Sequence, residues 1–127
     1  MALARIALLD DEAPVRVALG RLLRLADYEV IAFASGEEFL AALDDCAPDC
    51  AVLDVHLPGL TGIQVQQRLQ SGAVRFPVVF ITASEDAAVD RDAREAGGLC
   101  VLRKPFSSAE LLASIALALR AGPDTAR

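Results

Sequence analysis

The sequence predicts a doubly wound α/β fold, in which helices cover both faces of a five-stranded parallel sheet. Short apolar runs typical of buried strands occur five times, and each is followed by apolar residues at helical spacing. Strands joined by helical crossovers must be parallel, and such crossovers are right-handed. We therefore expect the strand order 2-1-3-4-5, with ligands at the carboxyl ends of the strands.

The elements follow from local signals. Pro14 suits the first turn of a helix, and a capping-box pattern, in which a hydroxyl residue precedes Glu or Gln by three positions, starts three others. The strands are predicted at 5–9, 29–33, 50–54, 77–82 and 99–102. The helices are predicted at 14–26, from Ser35 onward, from Thr61 to a stop at Ser71–Gly72, at 85–96 and at 107–120. The fourth helix, at 85–96, is rich in charge, and we expect it to be the least firmly packed.

Composition limits the function classes. The 127 residues suit one domain, which we place at 1–120, with 121–127 as a linker or frayed C-terminal tail. A net charge of −6 argues against direct binding of nucleic acid or an anionic membrane by this domain. Three cysteines without a secretion signal indicate a cytoplasmic location, and no apolar run is long enough for a membrane span. Cys46, Cys50 and His56 fit no zinc-binding spacing.

Chemically versatile side chains follow four of the five predicted strands. Asp10 and Asp11 end the first strand, Asp54 the third, and Thr82 the fourth, while Lys104 follows the fifth. Each has an ordinary explanation when taken alone: Asp11 as a helix cap, Thr82 as a strand-end residue, Lys104 as a solvated charge. Because parallel strands share one carboxyl edge, however, we expect all five to meet.

Such a cluster of acids calls for a cation. Two like charges ~4 Å apart repel by roughly 4 kcal/mol at an effective dielectric constant of 20. Hard oxygen ligands suit Mg²⁺, which would neutralise the acids. Asp54 can then act as a nucleophile toward a phosphoryl group and hold it as an acyl phosphate. Lys104 and Thr82 can supply a positive charge and a hydrogen bond to the phosphoryl oxygens.

These residues resemble the receiver domain of bacterial two-component response regulators. The segments DDEAPVR at 10–16, DVHLPGLTG at 54–62 and KPF at 104–106 are similar to receivers of the FixJ/NarL-like transcriptional regulators. The resemblance covers about 4–120 and implies the CheY-like version of the predicted fold. It implies that Asp54 is phosphorylated by a histidine kinase or phosphotransfer protein, and that the Lys104–Pro105 bond is cis. The implied Mg²⁺ ligands are Asp11, Asp54 and the backbone carbonyl of His56, with Asp10 acting through water.

One position departs from the family pattern. Receivers usually carry Tyr or Phe three residues before the lysine, and this side chain turns inward when the threonine moves. Val101 occupies the position here, and valine is short and stiff about its first side-chain torsion. We therefore expect the signal to leave through the loop after the fourth strand and through the helix at 85–96. His56 and Ser84 flank the site and could tune hydrolysis, or be plain loop residues.

Other functions are weighed against this one. The main alternative is a receiver-like interaction module that is never phosphorylated. An aspartyl-phosphate phosphatase needs an acid two residues after the nucleophile, where His56 stands, and a nucleotide-binding module needs a glycine-rich loop that the chain lacks. We expect a switch that catalyses only its own phosphorylation and dephosphorylation. A homodimer could form through the helix at 85–96, the strand at 99–102 and the helix at 107–120.

Overall fold

A computed structural model describes residues 4–72 and 76–121, and it confirms the predicted fold class. Five parallel strands form one sheet in the order β2-β1-β3-β4-β5. All five lie within one residue of their predicted bounds. The strands are β1 (Arg5–Leu9), β2 (Glu29–Phe33), β3 (Cys50–Asp54), β4 (Val78–Thr82) and β5 (Cys100–Arg103).

Six helices connect and follow the strands in the described part of the chain. They are α1 (Ala13–Leu25), α2 (Gly36–Ala41), α3 (Leu43–Cys46), α4 (Gly62–Gln70), α5 (Ala87–Glu95) and α6 (Ser108–Ala121). Within the described residues, every helix is too short or too polar to span a lipid bilayer. The predicted linker or tail at 121–127 lies outside the described residues, apart from Ala121 at the end of α6.

The second predicted helix is divided in the structure. The helical path is interrupted at Ala42, whose φ of −97° and ψ of 4° leave the α region, and α3 then adds one short turn. The capping signals were better predictors of where helices begin. Thr61–Gln64 and Ser107–Glu110 form both reciprocal bonds of a capping box. At Ser35 the box is incomplete, because the Glu38 carboxylate accepts from the Ala34 amide instead of the Ser35 amide.

The two faces of the sheet carry separate apolar cores, since side chains alternate along each strand. Helices α1 and α6 cover one core through Leu23, Leu111 and Ile115. Helices α2 to α5 cover the other, through residues that include Phe39 and Val65. The edge strands β2 and β5 are partly exposed, although their apolar runs resemble those of buried strands.

Helix α5 is polar, as the sequence predicted. Its buried residue is Ala93, and a groove of about 780 Å³ separates it from α4. The groove is lined by residues such as Gln67, Gln70 and Glu95, and it contains neither Asp54 nor Lys104. This groove is therefore not the place where the chemically versatile side chains meet.

Candidate functional site

Asp54 ends the central strand β3 and is fixed on one side by the backbone that follows it. All five residues of β3 are buried, and Asp54 itself is 5% exposed. Its Oδ1 accepts a hydrogen bond of 2.9 Å from the His56 amide. Helix α4 can begin close to this turn because Gly62 has no side chain, since a Cβ there would lie 2.3 Å from the Asp54 carbonyl oxygen. The carboxylate is thus held in a defined orientation at the carboxyl edge of the sheet.

Lys104 joins two of the predicted acids. Its Nζ lies 3.3 Å from Asp10 Oδ2 and 3.3 Å from Asp54 Oδ2. Burial lowers the pKa of the Lys104 ammonium, but the charges of Asp54 and Asp10 and their hydrogen bonds outweigh burial, and the pKa lies above its ordinary value. The Lys104 amide donates to the Thr82 carbonyl at 2.7 Å, and the Lys104–Pro105 bond is cis, as the resemblance implied.

Asp10 and Asp11 differ in their surroundings. Asp10 is fully buried and its Oδ1 accepts from the Glu12 amide at 2.9 Å, whereas Asp11 is exposed. The N-cap of α1 is Glu12, and its side chain makes no capping bond. The helix-cap explanation of Asp11 is therefore wrong, and the Asp11 carboxylate stands open to solvent beside two other acids.

Carboxylate oxygens of Asp10, Asp11 and Glu12 lie within 4.8 Å of one another and could hold a metal ion. With Asp54 nearby, the acids outnumber the Lys104 ammonium, so the site retains a surplus of negative charge. The donors are all hard oxygens, which Mg²⁺ prefers. The residues therefore fit a divalent cation. In the described part of the chain the cysteines join no such group, and burial raises the pKa of Cys50 to about 12.

Thr82 ends β4 next to Asp54, because Asp54 pairs with Ile81 across the sheet. Thr82 is 2% exposed, and its Oγ1 accepts from the Ser84 amide at 3.0 Å. The Ser84 hydroxyl in turn accepts from the Asp86 amide, and Asp86 caps α5 through the Ala88 amide. The threonine hydroxyl is thereby connected to the start of α5 by consecutive short-range hydrogen bonds.

Val101 lies on β5 opposite Phe80 of β4, and its side chain is partly buried against the core under α2 to α5. The structure thus brings together Asp10, Asp54 and Lys104 by direct contact and places Asp11, Thr82 and the His56 backbone around them.

Sequence reasoning did not assign Glu12 or Arg16. Arg16 Nη1 donates to the Asp10 carbonyl at 2.7 Å. Its signal was position alone, one helical turn beyond Glu12.

The fold and this cluster define a class of signalling domain, and comparison with known proteins agrees. The model of the response regulator receiver domain matches residues 6–116. The chain belongs to this family.

Among similar proteins are the transcriptional regulatory protein TdiR of Thauera aromatica (35% identity; 90% of this chain and 50% of the relative) and FixJ of Bradyrhizobium diazoefficiens (34%; 96% and 60%). The crystal structure of full-length FixJ from B. japonicum superposes with a TM-score of 0.89 at 33% identity, covering 95% of this chain and 60% of that one. The chemotaxis protein CheY4 of Vibrio cholerae superposes at 0.82 with 28% identity (93% and 100%).

The coverage of these relatives is uneven. The chain spans 50% to 60% of the length of TdiR and FixJ, so it corresponds to only part of each. In contrast, a response regulator receiver protein from Burkholderia phymatum superposes with a TM-score of 0.79 at 42% identity. That match covers 91% of this chain and 94% of the Burkholderia protein. What is shared is the receiver domain of two-component response regulators.

Proposed function

We propose that this receiver domain accepts a phosphoryl group on Asp54 from the phosphohistidine of a sensor histidine kinase or phosphotransfer protein, and that it switches a partner or effector in response. The observation that carries the proposal is the placement of Lys104. Its ammonium contacts both Asp54 and Asp10 at 3.3 Å, at the end of the central strand. A nucleophilic carboxylate thus has, next to it, the positive charge that phosphoryl transfer requires.

The reaction exchanges one bond to phosphorus for another. An Asp54 carboxylate oxygen forms a bond to phosphorus while the P–N bond of the phosphohistidine breaks, and the imidazole leaves with the electron pair and takes up a proton. Lys104 can follow the negative charge from the carboxylate to a phosphoryl oxygen. The Thr82 hydroxyl, oriented by the Ser84 amide, can donate to another. This self-modification distinguishes the domain from a metabolic enzyme.

We further propose that Asp11, Asp54 and the His56 carbonyl hold Mg²⁺, with Asp10 acting through water. Bound Mg²⁺ would supply positive charge to the phosphoryl oxygens. The surplus of acids over Lys104 supports this assignment, as does the open position of Asp11. Millimolar Mg²⁺ is expected to raise the melting temperature by relieving carboxylate repulsion, and Asp11→Ala should abolish the rise. A melting curve that does not respond to Mg²⁺ contradicts the metal assignment.

The output is proposed to run through the loop at 83–86, α5 and β5. The hydrogen bonds from Thr82 through Ser84 to Asp86 support this route, because a moving hydroxyl would disturb the start of α5. The α5–β5–α6 surface is the proposed contact for a homodimer or an effector. TdiR and FixJ are transcriptional regulatory proteins by name, and we propose transcription regulation as the output, with DNA bound elsewhere than on this acidic domain.

Phosphorylation is tested by incubation with acetyl phosphate and Mg²⁺, followed by intact mass measurement. The wild type should gain one phosphoryl group, Asp54→Ala should gain none, and Asp45→Ala, an exposed acid outside the site, should behave as the wild type. Failure of every donor to modify the wild type favours the alternative, an interaction module that works without phosphorylation.

The output route is tested with a phosphomimic bound at Asp54: unchanged amide resonances over 83–103 would rule it out.

A further inference from the structure

Arg16 is joined to the acidic cluster by a contact to backbone. The residue lies on α1 and is half-buried. Its Nη1 donates to the carbonyl oxygen of Asp10 at 2.7 Å, while its own amide bonds to the Glu12 carbonyl at 3.0 Å. The side chain therefore reaches back over the turn that connects β1 to α1. Its hydrogen bond to the Asp10 carbonyl joins the start of this turn to the helix.

This turn carries the acids that would bind the cation. Only three residues separate Leu9, the end of β1, from Ala13, the start of α1. Two further hydrogen bonds hold Asp10: its amide donates to the Phe33 carbonyl, and its carboxylate accepts from the Glu12 amide. Asp11 lies between these anchored points with an exposed side chain. The Asp11 carboxylate can bind the same cation as Asp10 only if the backbone on either side of Asp11 keeps its orientation.

Two roles for Arg16 predict opposite effects on cation binding. If the guanidinium acted only as a nearby positive charge, it would repel Mg²⁺, and its removal would tighten binding. If it acted by holding the Asp10 carbonyl, its removal would loosen the turn and weaken binding. Residues that orient metal ligands typically alter affinity 10- to 100-fold when they are removed. The sign of the change therefore separates the two roles.

We propose that Arg16 is a positioning residue for the divalent-cation site, fixing the β1–α1 turn through the Asp10 carbonyl so that the Asp10 and Asp11 carboxylates converge. The inference deepens the proposed function and rests on it. Arg16 touches neither the cation nor the phosphoryl group in this role. It should set the Mg²⁺ concentration that phosphorylation needs, and leave the rate at saturating Mg²⁺ nearly unchanged.

The test compares Mg²⁺ affinity, measured by calorimetric titration, in the wild type, Arg16→Met, Arg16→Lys and the control Arg21→Met. Arg21 is an exposed arginine on the same helix, so the control removes an equal charge. Arg16→Met should raise the dissociation constant about tenfold, Arg16→Lys should recover most of the loss, and Arg21→Met should stay within about twofold of the wild type. Melting without Mg²⁺ verifies that each variant is folded.

A second measurement uses phosphorylation by acetyl phosphate as a function of Mg²⁺. Arg16→Met should shift the half-saturating concentration upward about tenfold and reach a plateau rate within about twofold of the wild type. Equal or tighter Mg²⁺ binding in folded Arg16→Met overturns the positioning role, while wild-type phosphorylation leaves the proposed function standing. A wild type that neither binds Mg²⁺ nor is phosphorylated overturns both. If Arg16→Met does not fold, Arg16→Gln takes its place in both measurements with the same expected loss, and unchanged Mg²⁺ binding in that variant would reject the positioning role.

Discussion

Replacing Lys104 by methionine removes the ammonium that lies between two buried carboxylates while keeping most of the side-chain volume. Each carboxylate oxygen is 3.3 Å from Nζ, and one such attraction amounts to about 5 kcal/mol at an effective dielectric constant of 20, before desolvation is counted. Breaking a buried pair typically costs about 3–5 kcal/mol. Since the Lys104 side chain is 24% exposed and partly screened, we expect a loss of about 3 kcal/mol, or about 10 °C in melting temperature.

The stability of the cluster should depend on Mg²⁺. After the substitution, Asp10 and Asp54 repel each other without an intervening cation. Mg²⁺ should stabilise the variant more than the wild type. In the wild type the pKa of Lys104 is raised above 10.5. Lys104 therefore contributes fully to the free energy of unfolding below pH 10.5, and this contribution is lost as the pH rises through the pKa of the folded state.

Urea unfolding at pH 8, with and without Mg²⁺, measures the effects of the substitution and of the cation. Arg103→Met is the matched control, because Arg103 is the neighbouring residue and is exposed. It should change the free energy of unfolding by less than about 0.5 kcal/mol. Equal stability of Lys104→Met and the control at pH 8 would refute the electrostatic account of the cluster.

Three further predictions concern stability. Burial raises the pKa of Cys50 from 9.0 to about 12, so the free energy of unfolding of the wild type should fall by about 1.4 kcal/mol per pH unit as the pH rises from 9 toward 12. In urea unfolding, Cys50→Ala should lack this slope, and parallel pH profiles of the two proteins would contradict the prediction. Gly62→Ala should lower the free energy of unfolding by about 1–3 kcal/mol, because the Asp54 carbonyl obstructs a Cβ at this position. The control Gly72→Ala should be nearly neutral, since a Cβ there makes ordinary contacts. Equal losses in the two variants would argue against the close approach of Gly62 to Asp54. Gln66→Met should raise the free energy of unfolding by about 1 kcal/mol, since the buried Gln66 Oε1 has no partner among the described residues, and a lower melting temperature would contradict it.

The strands and helix starts could be predicted from the sequence because their signals are local. Apolar runs marked the strands, and the side chains of Thr61 and Ser107 cap their helices as the spacing predicted. The division between α2 and α3 has no such signal, since Ala42 is a good helix former. The exposure of β2 and β5 follows from their place at the sheet edges, which the predicted strand order already implied.

The candidate site could be predicted in its membership but not in its contacts. Topology alone brings Asp10, Asp54 and Lys104 to one edge, and the resemblance assigned them roles. That Lys104 contacts both acids depends on the path of the chain after β5, which no pattern encodes. The contact of Arg16 with the Asp10 carbonyl is of the same kind, because a side chain bound to backbone leaves no complementary residue type in the sequence.

Because all five strands run in one direction, the acidic cluster and Lys104 lie at one edge of the sheet, and a different set of contacts holds the opposite edge. Arg5 lies at that edge, where its Nε contacts Glu29 Oε1 at 2.6 Å and its amide donates to Asp49 Oδ2 at 2.8 Å. A five-residue strand separates the two edges by about 16 Å. A fluorophore or surface anchor attached at exposed Ser71 would therefore lie beyond contact with the acids. The domain can be immobilised or labelled by this edge for single-molecule work with its reactive edge facing solvent.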